Sequence, residues 1–178
     1  MKLVGIVGNN YSGSHNRMLL KFMQQRYASQ VELSLLETKP LPMFNQDDED
    51  HPTQTVVDFR AAIAAADAVI IATPEHNHSI PAVLKNALDW CSRVEHPLAG
   101  KKVMIVGAAL GPLGTVRAQG HLRQILDSMS IAAHVMPGNE FLLAHAMNAF
   151  DANGRLTDQK DIEFLDTCMT NFIKFVEA

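Results

Sequence analysis

Four short stretches of the chain are apolar almost without a break: residues 2–8 (KLVGIVG), 68–73 (AVIIAT), 102–108 (KVMIVGA) and 131–136 (IAAHVM). A strand that is apolar on both faces must be covered on both faces, which is the condition of a parallel sheet held between two layers of helices. A fifth stretch, 31–37, is apolar at Val31, Leu33 and Leu35, with Leu36 added. The segments between these runs change period. Residues 81–93 carry Leu84, Ala87, Leu88 and Cys91 at the spacing of one helix face, and 115–129 repeat it with Leu122, Ile125, Leu126 and Met129. Helical patterns also cover 16–27, 53–66 and 157–176, the last with Thr157 as its cap. Strict strand–helix alternation with right-handed crossovers predicts a three-layer α/β sandwich whose five-stranded parallel sheet has the order 2-1-3-4-5.

The length of 178 residues suits one domain spanning 1–178. A chain of that size buries roughly 70% of its unfolded surface and needs no disulfide or metal staple. Its net charge of −4 is spread along the chain, which excludes the basic face that nucleic acid requires. Cys91 and Cys168 stand far apart, outside any CxxC, and read as core residues of a reducing compartment. No apolar run approaches the ~18 residues of a membrane span, and residues 2–8 open directly into a strand, so a cytoplasmic protein is expected. The one long loop, 39–52, is rich in proline and acid; it reads either as a solvated acidic loop or as a functional one.

In this architecture ligands bind beyond the carboxyl ends of the strands, where the strand order reverses. The loop after the first strand, GNNYSGSHN (8–16), packs hydroxyl and amide residues before a helix. Free backbone N–H groups at a helix start, helped by such side chains, make an anion site. It is neither a Walker loop nor GxGxxG. The loop after the third strand, TPEHNHSIP (73–81), sets four polar side chains between strand and helix. His76 and His78 lack the further ligands a metal site needs, so no metal is expected. The loop after the fourth strand, GAALGPLG (107–114), is nearly free of polar side chains and offers an apolar wall for a flat ring. No GxSxG, HExxH or acid–base pair is present, so no catalytic side chain is nominated; a cofactor that carries the reaction itself suits such a site. Glu37, at the end of the second strand, reads as an ordinary exposed acid, because the dinucleotide fingerprint is absent.

Residues 73–90, TPEHNHSIPAVLKNALDW, resemble the hallmark TPEYNxSxPxxLKNAxDW of the NAD(P)H-dependent FMN reductase family. The likeness extends over nearly the whole chain: the first loop resembles that family's GSxRxxSxN phosphate loop, and RAQGHLRQ (117–124) its helix after the fourth strand. The resemblance implies a flavodoxin-like fold, bound FMN, and NADPH or NADH as co-substrate. Hydride would pass from nicotinamide to flavin and on to a small acceptor such as a flavin, quinone or azo compound. The alternative is a flavodoxin-type electron carrier without NAD(P)H reactivity. Matched position by position, Ser14 and Asn16 fall on phosphate ligands, with Asn9 where Ser is usual and Tyr11 where Arg is usual. Pro74, Glu75, His76 and Asn77 fall on the loop that contacts the ring, and Ala109 and Gly111 on the loop that meets it from the other side. Tyr11 brings no positive charge, which leaves either a weaker phosphate site or Arg17 as a substitute. His76 replaces the usual Tyr and changes the surface near the ring. The family commonly forms homodimers or homotetramers through its third and fourth helices, where Trp90, His121 and Arg123 are large groups for such an interface.

Overall fold

The computed structural model describes residues 1–178. Strands β1 (Lys2–Val7), β2 (Glu32–Glu37), β3 (Ala68–Ala72), β4 (Lys102–Ala108) and β5 (His134–Val135) pair in parallel in the order β2-β1-β3-β4-β5. Leu3 stands opposite Leu33 on one side and Ala68 on the other, and Ala68 opposite Lys102, so Val7, Ala72 and Val106 stand level and β4 runs on to Ala108. The strand periods read from the sequence hold for the first four strands. The fifth departs: the expected 131–136 pairs β4 only through His134 and Val135, and a further strand, β6 (Phe141–Leu143), rejoins β4 nearer its carboxyl end. Pro137 has no N–H to give and Gly138 turns left-handed at φ +65°, so the ladder cannot continue through them.

Five helices cover the sheet: α1 (His15–Arg26) and α5 (Gln159–Glu177) on one face, α2 (Gln54–Ala65), α3 (Ala82–Cys91) and α4 (Val116–Leu126) on the other. Each face has its own buried apolar cluster, of 23 and 22 residues, so neither side of β3 is wet, and all five of its residues are buried. The cap of α5 is Asp158, not Thr157. Asp158 Oδ1 accepts from the N–H groups of Lys160 (2.7 Å) and Asp161 (3.4 Å), whereas the Thr157 hydroxyl donates to the Ala149 carbonyl. A carboxylate at a helix start gains from both the free N–H groups and the helix dipole. Cys168 and Cys91 lie one in each cluster, free and buried; burial pushes their thiols up to about 11 and about 12.

Trp90 is a core residue, 1% exposed, and is not available to an interface between copies. Its indole Nε1 donates to the Pro42 carbonyl (2.8 Å) and its ring meets Phe44 edge-on. Asn86 donates to the same carbonyl and accepts from the Phe44 N–H. With Arg93 paired to Glu49 at 2.7 Å, these contacts strap the acidic loop 39–52 onto α3.

Candidate functional site

A cavity of about 890 Å³ opens at the carboxyl ends of β1, β3 and β4, over the β1/β3 boundary where the strand order reverses. Of the ten residues expected there, nine line it: Asn9, Tyr11, Ser14 and Asn16 from the β1–α1 loop, Pro74, Glu75 and His76 from the β3–α3 loop, and Ala109 and Gly111 from the β4–α4 loop. Asn77 does not. It follows His76 in a tight turn closed by reciprocal bonds between His76 and Ser79, in which Asn77 (φ +50°) and His78 (φ +64°) are both left-handed. A two-residue turn of that kind favours Asn at its first central position, which accounts for Asn77 on backbone grounds alone.

The polar end of the cavity is the start of α1. Ser14, 2% exposed, is its N-cap and accepts from the Arg17 N–H at 3.3 Å, leaving the N–H groups of His15 and Asn16 without partners in the helix. The Asn16 side chain is committed elsewhere: its amide donates to the Ala108 carbonyl and its oxygen accepts from the Ala108 N–H, both at 2.9 Å. It therefore ties the start of α1 to the end of β4, in the manner of one more rung of a ladder. Arg17 is bound by Glu37 through Nε (2.6 Å) and Nη2 (2.7 Å), and that carboxylate holds its pKa above the ordinary arginine value. Glu37 is thus half of an ion pair and not the free surface acid its position in the sequence suggests.

Glu75 is also committed. Its Oε2 accepts from the backbone N–H groups of Arg117 (3.0 Å) and Ala118 (3.2 Å), and its Oε1 lies 3.5 Å from the Arg117 guanidinium. A carboxylate on a helix start is favoured by the dipole, and here it clamps the β3–α3 loop to α4. Below that clamp the start of α4 packs onto β4 so closely that a side chain at Gly107 would meet Thr115 Oγ1 at 1.8 Å and the Thr73 carbonyl at 2.7 Å. Glycine is the residue this approach requires.

The far wall is apolar. Leu110 and Leu113 from the β4–α4 loop line it while remaining 60% and 51% exposed, and Met147 closes one corner at 67%. Met147, His15 and Arg117 were not among the expected site residues. Met147 arrives because the backbone after β6 folds over the end of β4, with the Ala146 N–H bonded to the Ala109 carbonyl; no motif in the sequence marks it. Arg117 opens the segment resembling the family's fourth helix, so the signal for it was present. The cavity holds an end rich in N–H groups and a flat apolar wall, and its only carboxylate is engaged. That equipment positions a ligand.

The model of the NADPH-dependent FMN reductase family matches residues 1–148. Over 177 residues the chain is 48% identical to the NADH:(hydroxy)cinnamate reductase subunit CrdA of Vibrio ruber, covering 99% of this chain and 88% of the relative. It is 43% identical over 182 residues to the NADH-dependent flavin reductase subunit 2 of Lactobacillus johnsonii, covering 99% and 98%. Among solved structures, the flavoenzyme NAD(P)H:(acceptor) oxidoreductase FerB of Paracoccus denitrificans superposes with a TM-score of 0.89 at 30% identity, over 99% of this chain and 97% of that one.

Proposed function

The chain belongs to the NADPH-dependent FMN reductase family, and from that premise we propose that residues 1–178 act as one FMN-binding unit whose cavity holds the phosphate at the start of α1 and the ring against the β4–α4 wall. It is an NAD(P)H-dependent oxidoreductase with FMN as its cofactor. Bound FMN supplies the exchange of electrons between the nicotinamide and the acceptor. The protein's share is to bind, orient and exclude water.

The observation that carries this assignment of roles is the polarity of the cavity itself. Its β1–α1 end presents Ser14 and the unpartnered N–H groups of His15 and Asn16, and its β4–α4 end presents Ala109, Gly111, Leu110 and Leu113. A phosphate and a flat ring fit those two ends in one orientation only, and the volume of about 890 Å³ is of the size small-molecule sites have. Ser14, Asn9 and Tyr11 serve the phosphate end. Pro74, Glu75 and His76 pass beside the ring, and Asn77 shapes the turn that carries them. Asn16 contributes its backbone N–H, its side chain being bound to Ala108.

The acceptor is a small molecule of the quinone or flavin class, as the names of the relatives suggest. Two copies or more meet beside the cavity mouth: Leu110 and Leu113 in the β4–α4 loop and Val116 at the start of α4, all exposed, support that face over one built on Trp90. The free, buried thiols support a place in the cytoplasm.

The test is spectroscopic. The purified protein titrated anaerobically with FMN should quench flavin fluorescence at a stoichiometry of one per chain, and NADH or NADPH should then bleach the bound flavin's visible absorption. Bleaching by neither nucleotide would leave only an electron carrier. Equal affinity for FMN and riboflavin would remove the phosphate from the α1 end.

A further inference from the structure

Arg17 is the one arginine beside the polar loop, and with Tyr11 supplying no charge it is the obvious partner for a phosphate. Its surroundings assign it otherwise. A guanidinium has five N–H donors, and all five are occupied within the chain. Nε and one Nη2 hydrogen go to Glu37, Nη1 donates to the carbonyls of Tyr11 (2.7 Å) and Ser12 (3.2 Å), and the second Nη2 hydrogen reaches the Asn9 carbonyl (3.5 Å). Its charge is neutralised by Glu37. It also lies on the wrong side of the loop: Asn9, Tyr11, Gly13 and Ser14 face the cavity, whereas Arg17, Asn10, Ser12 and Glu37 line a separate groove behind it.

Those three carbonyls have a geometric consequence. In a trans peptide the C=O of one residue and the N–H of the next point in opposite directions. Carbonyls of Asn9, Tyr11 and Ser12 drawn toward Arg17 therefore turn the N–H groups of Asn10, Ser12 and Gly13 away from it. None of those three N–H groups donates to another group of the chain.

We propose that the ion pair of Arg17 and Glu37 is a positioning device that shapes the β1–α1 loop from behind, holding its carbonyls back so that its N–H groups face the phosphate. This rests on the reading that FMN binds with its phosphate at the start of α1. Under it the phosphate is met by neutral donors preset by a half-buried fork, and Glu37, an acid, favours the binding of an anion by keeping that fork in place.

The sign of one substitution separates this from a direct role. Were Arg17 the phosphate's cation, Glu37→Gln would free it from a competing anion and tighten FMN. Under the positioning role Glu37→Gln loosens the loop and weakens FMN by roughly 3–10-fold, the scale of one ordinary hydrogen bond, while riboflavin affinity changes less than about twofold. Arg17→Lys keeps the charge and loses the fork, and is expected to weaken FMN by about 10-fold or more. Dissociation constants for FMN and riboflavin are read by fluorescence quenching on the apoprotein, with far-ultraviolet circular dichroism confirming the fold. FMN bound as tightly or more tightly by Glu37→Gln, or retained within twofold by Arg17→Lys, overturns the inference. A wild-type protein that does not distinguish FMN from riboflavin overturns the phosphate reading, and this inference with it. Wild-type discrimination with no loss in Glu37→Gln overturns this inference alone.

Discussion

The two loops that flank the cavity are built on opposite plans. The β1–α1 loop is short of apolar contacts and dense in side-chain bonds to its backbone: Arg17 holds three of its carbonyls, the Asn9 side chain accepts from the Tyr11 N–H at 3.0 Å, and Ser14 caps the helix. The β4–α4 loop has no side-chain bonds to its backbone; it is held by Gly107 against Thr115, by the Ala109 N–H on the Leu143 carbonyl and by the His145 N–H on the Gly111 carbonyl, and it leaves Leu110 and Leu113 in water. One loop is preset and the other is free to be covered. A charged group needs its donors arranged before it arrives, because reorienting dipoles costs free energy at the moment of binding. An apolar ring or a second apolar surface needs only area removed from water, and non-directional burial tolerates a loop that adjusts.

The bridge between the two loops is Asn16, so removing it is the strongest way to break the contrast. Asn16→Ala leaves the buried N–H and C=O of Ala108 without partners, at about 1–3 kcal/mol for each group. Unfolding in urea should show a loss of about 2–6 kcal/mol with an unchanged slope, and FMN affinity should fall with it, because the apolar loop loses its hold on the preset one. A loss below about 0.5 kcal/mol would show that the two loops are independent.

A disturbance of the core should instead loosen both loops together. Burial raises the Cys91 and Cys168 thiols to about 12 and about 11, against about 8.5 in an unfolded chain. A raised acid stabilises the fold fully below the unfolded value and loses that contribution as pH rises toward the folded one. Each thiol should cost roughly 2 kcal/mol of stability by pH 10. Urea midpoints at pH 8 and pH 10, for the wild type and Cys168→Ala, check this; equal declines in the two proteins would mean that Cys168 plays no part.

The smallest effect belongs to the exposed wall. Leu113→Ser should change stability by less than about 0.5 kcal/mol, as exposed substitutions do, and leave the preference for FMN over riboflavin intact. It should alter KM for the acceptor, or the sedimentation coefficient, because it removes apolar surface at the mouth. A changed FMN-to-riboflavin ratio would show the apolar loop reaching the phosphate end.

Much of this was legible in the sequence because strand and helix periods are local. The unbroken apolar runs placed β1 to β4 and their order, and three loops of odd composition placed the cavity. What escaped was the use to which particular polar groups are put. Asn16, Glu75 and Arg17 look like ligands from their types and positions, yet Asn16 and Glu75 spend their side chains on the backbone of a distant element, and Arg17 spends its own on the Glu37 carboxylate and the loop before it. Trp90, expected at an interface, and Asn86 belong to the most recognisable motif, and both grip the loop 39–52. Such partners are settled by distances in the fold, which spacing along the chain does not report. The break of the fifth strand at Pro137 and Gly138 was readable, but only β6, beyond it, showed that the chain returns to the same neighbour.

That break bears on how this protein lives among copies of itself. The outermost strand of an open sheet carries a row of unpaired amide groups, onto which another extended segment can add and start a fibril. Here the outermost line consists of two residues, a gap containing a proline, and three residues more. An incoming segment would find no continuous template along this edge, whereas the opposite edge, β2, runs unbroken for six residues.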